Sequence, residues 1–204
     1  MEKGQLYLNT LAHFRSYEET EVRGDVHDGQ LRYQPSGGLT LTKSSGEVLT
    51  LTDWQFRASV RTADIFVYCM SRDKSEALAR EFDCPFCVEI TDPIRLIGRV
   101  NRHVRLRSRL CHEVHHGPVE YRSLEAEPGA DWALPERVAF IKPEPYGRQN
   151  EYRIVFGNKG AFDVENVELT LQKGEPENTG DPSRGEPLVL TIGDLTRIAR
   201  LHQF

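Results

Sequence analysis

Long hydrophobic runs are missing from this 204-residue chain. No stretch approaches the ~18 apolar residues that a membrane-spanning helix requires, so no membrane role is expected. The opening Met1-Glu2-Lys3-Gly4-Gln5 lacks the apolar segment of a secretory signal. Cysteine is scarce too: four in a sequence of this length cannot make a disulfide framework, which points to reduced thiols and a cytoplasmic protein. There is no G-x-G-x-x-G or Walker-type loop, which excludes the common dinucleotide and nucleoside-triphosphate fingerprints, and there is no internal repeat. Base is short relative to acid. The net charge of −5 argues against bulk attraction to nucleic acid or lipid, although local basic segments remain.

What is present is an ordinary globular composition, 38% apolar and 28% charged, over a length that suits a single domain spanning 1–204. The chain opens with a short β-prone run at 5–8, and Asn9 is a good N-cap for an amphipathic turn through Phe14 and Tyr17. Charge and glycine crowd 21–29, which must be a loop. Alternating runs at 31–33, 39–42 and 48–52 read as a β-meander, and the apolar run at 64–70 as a central strand. Asp73 with Glu76 makes a capping-box pattern before a helix at 77–82. After a strand at 86–90, Asp92 and Pro93 open a second helix, with Ile94, Ile97, Val100 and Val104 as its apolar face. More strands are expected at 119–122, 150–156, 167–171 and 188–192, with loops at 126–136 and, flexible and rich in proline and glycine, near 174–187. A helix at 194–201 would close the chain. Strands in runs, with helices not regularly interleaved, predict an α+β fold: a mostly antiparallel, strongly bent or two-part sheet with three or four short helices.

The densest polar pattern lies at 142–156. Strand alternation sets Gln149, Glu151 and Arg153 on one face, and Tyr152, Ile154 and Phe156 on the other, which is plainly core. The polar face carries an amide, a carboxylate and a guanidinium side by side, with Lys142 a loop away. It reads either as a solvated outer face on which Glu151 and Arg153 pair, or as a site. In a site, Glu151 would hold a substrate hydroxyl or steady a developing positive charge. A second cluster, Arg23, Asp25, His27 and Asp28, suits a sugar-phosphate or, as a third functional reading, metal-dependent hydrolysis; it equally suits ordinary turn chemistry. Ser71 stands between the central strand and the capped helix, where serine serves as a turn residue or lines a site. It lacks the flanking glycines of a nucleophile elbow.

Cys84-Pro85-Phe86-Cys87, followed by Cys111-His112 and His115-His116, offers the residue types of a zinc site. The later pair has no recognised ligand spacing and Cys87 opens an apolar strand, so no metal is expected. A local basic face, Arg99, Arg102, Arg105, Arg107 and Arg109, supports an alternative function: a non-catalytic binding module contacting nucleic acid or a partner protein.

Taken in order, these segments resemble a widespread bacterial group of uncharacterised proteins. The shared motifs are G-x-L-Y-x-N-T-L-x-x-F-R at 4–15, R-G-D-x-x-[ED]-G at 23–29, C-x-S at 69–71, V-x-Y at 119–121, F-x-K at 140–142 and Q-x-E-Y-R-I at 149–154. The same order distantly resembles ADP-ribosyltransferases, many of which place an arginine or histidine on a first strand, a serine on a second and [QE]-x-E on another. That resemblance implies NAD as cofactor and Glu151, Gln149 and Ser71 as catalytic residues. It further implies Arg23 or a neighbouring cation as the group that holds the pyrophosphate, and a bacterial toxin or defence setting with a protein or nucleic-acid acceptor; with Arg23, the residues Asp25, His27, Lys142 and Arg153 of the two polar clusters are expected to bind the ligand. A carboxylate near the ribose would stabilise the oxocarbenium-like state reached as the nicotinamide bond breaks. The first-strand residue normally lies upstream of where this sequence starts its first strand. His13, Arg15 or Arg23 takes its place, or the site is incomplete. Acceptor and oligomeric state have no sequence signature here.

Overall fold

The computed structural model describes residues 3–15, 27–174 and 185–204. Arg23 and Asp25, and most of the loop expected near 174–187, lie outside the described residues. In chain order the elements are β1 (Gln5–Thr10), α1 (Leu11–Arg15), β2 (Gln30–Tyr33), β3 (Leu39–Thr42), β4 (Val48–Leu51), β5 (Trp54–Ser59), β6 (Ile65–Ser71), α2 (Glu76–Glu81), β7 (Phe86–Ile90), α3 (Pro93–Arg105), β8 (His115–Pro118), β9 (Glu120–Arg122), α4 (Pro135–Val138), β10 (Ile141–Pro143), β11 (Glu151–Gly157), β12 (Glu168–Lys173), β13 (Leu188–Thr191) and β14 (Ala199–Gln203). This is an α+β fold, mostly antiparallel, as the run-wise order of strands predicts; its strands form several small sheets.

A five-stranded sheet, β13-β1-β6-β11-β8, forms the centre, antiparallel at every pairing. Its middle pair is rich in β-branched and aromatic residues and runs in register from Ile65↔Gly157 to Ser71↔Glu151. Because strand side chains alternate, each face of this pair has its own core. Phe66, Ile154 and Phe156 join Leu6, Leu8, Leu188 and Leu190 beneath α3, whose Leu96, Val100 and Val104 complete that layer. On the other face Ile65, Val67 and Val155 pack with Leu11, Trp132, Val138 and Phe140, and with Leu31 and Ala58 from the β12-β5-β2 sheet. Gly4 lets β1 approach the turn after β13: a Cβ there would stand 1.7 Å from the carbonyl oxygen of Gly193. On β13, Arg107 Nη2 donates to the carbonyl of Val189 (3.1 Å), and β8 ends on Pro118.

Several local expectations change. The closing segment is a strand, not a helix. Asp194 accepts from the Thr196 amide (2.9 Å) and hydroxyl (2.8 Å), which makes a turn, and β14 then pairs antiparallel with β7. No β-meander forms: β3 and β4 make a hairpin, while β2 skips them to pair with β5. The α2 cap is Ser75, which accepts from the Leu78 amide (3.3 Å); Asp73 is engaged elsewhere. Asp92 caps α3 as expected, accepting from the Arg95 amide (2.9 Å). The helix is rotated from its expected face, however: Ile94 is 83% exposed, and Leu96, absent from the expected apolar set, is 1% exposed. Leu96→Ala should therefore cost about 2–5 kcal/mol in urea unfolding, through lost transfer energy and a cavity, while Ile94→Ala stays within about 0.5 kcal/mol.

Candidate functional site

Along the middle strand pair, one face changes character. Next to Val67 and Val155 it is apolar; two residues on it becomes Cys69 beside Arg153, then Ser71 beside Glu151. The chain enters β11 through a 3₁₀ turn, Glu144–Gln149, and Asn150, whose φ of 44° is left-handed. Asparagine accepts that conformation more readily than most residues. Gln149 therefore sits on the turn rather than on the strand, and turn geometry rather than alternation brings it beside Glu151. Ser71 fastens this turn: its Oγ donates to the Gln149 carbonyl (3.0 Å) and accepts from the Asp73 amide (3.1 Å). Asn150 Nδ2 donates to Asp73 Oδ2 (2.9 Å) on the same side.

The polar face is not solvated. Arg153 is 1% exposed, Lys142 6% and Glu151 9%, which overturns the outer-face reading. Lys142 Nζ donates to Glu151 Oε1 (2.8 Å) and to Gln149 Oε1 (3.0 Å), and stands 4.5 Å from the centre of the Tyr146 ring. Arg153 Nε donates to Glu151 Oε2 (2.9 Å). The two Nη atoms take both oxygens of Asp28, at 2.9 and 2.8 Å, and Nη1 also reaches the Ala139 carbonyl (2.6 Å). The Tyr121 hydroxyl accepts from the Glu151 amide (2.8 Å). Burial pushes the Glu151 carboxyl upward, but the charges of Arg153 and Lys142 and the hydrogen bonds they donate outweigh it and hold it below the ordinary carboxylate range. Burial would likewise lower the Arg153 guanidinium, and the charges of Asp28 and Glu151 reverse this.

These groups line a cleft of about 370 Å³, within the ~300–1,000 Å³ usual for small-molecule sites. Its polar floor is Asp28, Cys69, Lys142, Gln149, Glu151 and Arg153; Phe14, Met70 and Phe82 bring apolar surface, with Asn9 and His13 from the first strand and helix. Five of the expected site residues, Ser71, Lys142, Gln149, Glu151 and Arg153, thus meet in one cleft. His27 does not: it faces a separate groove with Arg32, Arg122, Tyr146 and Arg148, and its Nε2 lies 2.8 Å from Arg32 Nη1. Of the candidates for the first-strand position, His13 lines the cleft, and Arg15 donates to the carbonyls of Asp28 (2.6 Å) and Gly29 (3.3 Å).

The basic stretch is divided. Arg99 donates to the carbonyls of Gly193 and Asp194, Arg107 to Val189, and α3 ends at Arg105; Arg102, Arg105 and Arg109 are exposed. Among the described residues no three His, Cys, Asp or Glu side chains converge as a metal centre, and all four cysteines are free. Phe14, Phe82 and Asn9 carried no signal as site residues, because an aromatic at helical spacing reads as core. Asp28 was legible as part of a charged loop cluster and as the acidic end of a loop motif; its pairing with Arg153, 125 residues away, was not.

Comparison of the chain with protein-family models, with curated proteins and with solved structures finds no match.

Arg153→Met should destabilise the fold by about 3–5 kcal/mol in denaturant titration, because it strands Asp28 as a buried, unpaired carboxylate. Glu151 has a depressed folded value, so its contribution is complete above the ~4.3 of an unfolded glutamate and is lost as pH falls through the folded value. Unfolding free energy should accordingly fall below about pH 4 in the wild type, and fall less steeply there in Glu151→Gln.

Proposed function

We propose that the cleft binds NAD and breaks its nicotinamide–ribose bond, passing the ADP-ribosyl group to an acceptor or to water. The observation that supports this best is Glu151: a carboxylate held in its charged form by two cations, beside Gln149, at the floor of a small-molecule cleft. As the C–N bond breaks, its electron pair leaves with nicotinamide and positive charge develops on the ribose carbon and ring oxygen. A fixed negative charge nearby favours that state over the ground state, the same logic as in glycoside cleavage. The acceptor's oxygen or nitrogen then bonds to the ribose carbon and gives up its proton. Phe14 and Phe82 supply flat apolar surface for the nicotinamide or adenine ring. Lys142 and Arg153 hold Glu151 in place and keep it ionised, rather than reaching for phosphate.

Ser71 takes a different part from the one the resemblance implies. With its hydroxyl spanning Gln149 and Asp73, it holds the turn that presents the amide and the carboxylate. A reaction that drains NAD suits a toxin or defence protein, and the acceptor would be a protein or a nucleic acid.

Nicotinamide release from NAD, measured for wild type and for Glu151→Gln at matched folded fraction, tests the reading. A loss of about 10²–10³-fold is expected on removing the charge. Equal rates in the two proteins, or a wild type that neither turns over NAD nor gains thermal stability from it, would overturn the proposal.

A further inference from the structure

A guanidinium can pair side-on with a carboxylate, through Nε and Nη2 to both oxygens, and that fork is its strongest arrangement. Arg153 does not treat Glu151 this way. Both Nη atoms are turned to Asp28, Nη1 is shared with the Ala139 carbonyl, and Nε alone reaches Glu151. Glu151 is left with one arginine bond on Oε2 and one lysine bond on Oε1. An ionised carboxylate accepts at about four lone-pair positions, so each oxygen keeps capacity for a donor from the cleft.

Asp28 is built into this role. It is 1% exposed, and Arg15 from α1 holds its backbone carbonyl. Gly29, the next residue, has a φ of +72°, and a Cβ there would come within 2.8 Å of the Thr62 methyl and 3.1 Å of Leu11. The backbone is thus committed to one path at the point where the carboxylate meets Arg153.

We propose that Asp28 is the positioning residue of the cleft: by occupying the end of the Arg153 guanidinium it keeps Glu151 from a side-on pair with that arginine and leaves the Glu151 oxygens available to a hydroxyl donor, such as a ribose diol. The assignment of a ribose rests on the NAD reading; the positioning does not. Glu151 is bonded by Lys142 from β10, Arg153 from β11 and, at its amide, Tyr121 from β9; Ser71 on β6 lies opposite it in register, and Asp28, Cys69 and His13 line the same cleft. Of these, only Asp28 competes with Glu151 for the guanidinium fork.

The test is the structure of Asp28→Asn, with the pH profile of nicotinamide release measured alongside. An amide cannot match both Nη donors, so Glu151 is expected to swing to Nε and Nη2 of Arg153 and to leave Lys142. The acid limb of the rate profile should move to lower pH, and kcat should fall at least tenfold with KM for NAD rising; Asp28→Glu should recover part of both. Glu151 still bridging Lys142 and Nε in Asp28→Asn would overturn the inference. Should that variant not fold, hydrogen-bond scalar couplings in the wild type decide. Nη1 and Nη2 coupled to the Asp28 carboxyl carbon, with Nε alone coupled to Glu151, supports the inference, whereas coupling of Nη2 to Glu151 overturns it. A Glu151 that turns as expected in a protein without NAD turnover would overturn the NAD reading and leave the role of Asp28 standing.

Discussion

The burial of Arg153 is the constraint on which the rest depends. A guanidinium cannot shed its charge, so enclosing it at 1% exposure costs several kcal/mol unless its donors are met. Four of its five N–H groups are met from three directions: by Asp28 ahead of β2, by the Ala139 carbonyl at the end of α4, and by Glu151 on its own strand. One side chain thereby ties together segments far apart in the sequence. Lys142 extends the set to two cations and two carboxylates, which balance. Such a network is close to neutral for stability against a well-packed apolar replacement. Here it sets the charge and direction of one carboxylate at the floor of a cleft.

The sheet makes this affordable by keeping its two faces separate. Beneath α3 the packing is aliphatic and aromatic, and the polar network lies on the opposite side of β6 and β11. On the cleft side Ile65, Val67 and Val155 pack at one end of the two strands, while Cys69, Ser71, Arg153 and Glu151 stand at the other, so that ordinary core packing anchors the strands whose ends hold the site. Met70, packed against the α3 layer yet lining the cleft, is where the two meet.

The fold class, the central strand and the Asp92–Pro93 helix start were legible because each rests on local chemistry: an apolar run, a side-chain cap, a proline at the first helical turn. The end of the chain was misread because Asp194 serves as well for a turn as for a helix cap, and pairing with β7, a hundred residues away, decided between them. The site was half legible. Gln149, Glu151 and Arg153 stand together in the sequence, so their proximity could be read. Their burial could not, since it depends on Asp28 and Ala139 arriving from elsewhere. Ser71 was found for its place in the chain, while its hydroxyl's hold on the Gln149 turn is a tertiary fact.

Two details at the margins of the central sheet also act together. Arg107 occupies the Val189 carbonyl on β13, and Pro118 closes β8 without an amide hydrogen. An unguarded edge strand is a template on which another chain can grow a further strand, and both ends of this sheet carry a device that interrupts such growth. A chain seeking to extend the central sheet at either edge would meet one of these interruptions within a residue or two of pairing, while β6 and β11, which frame the cleft, lie inside the sheet with both their ladders already filled.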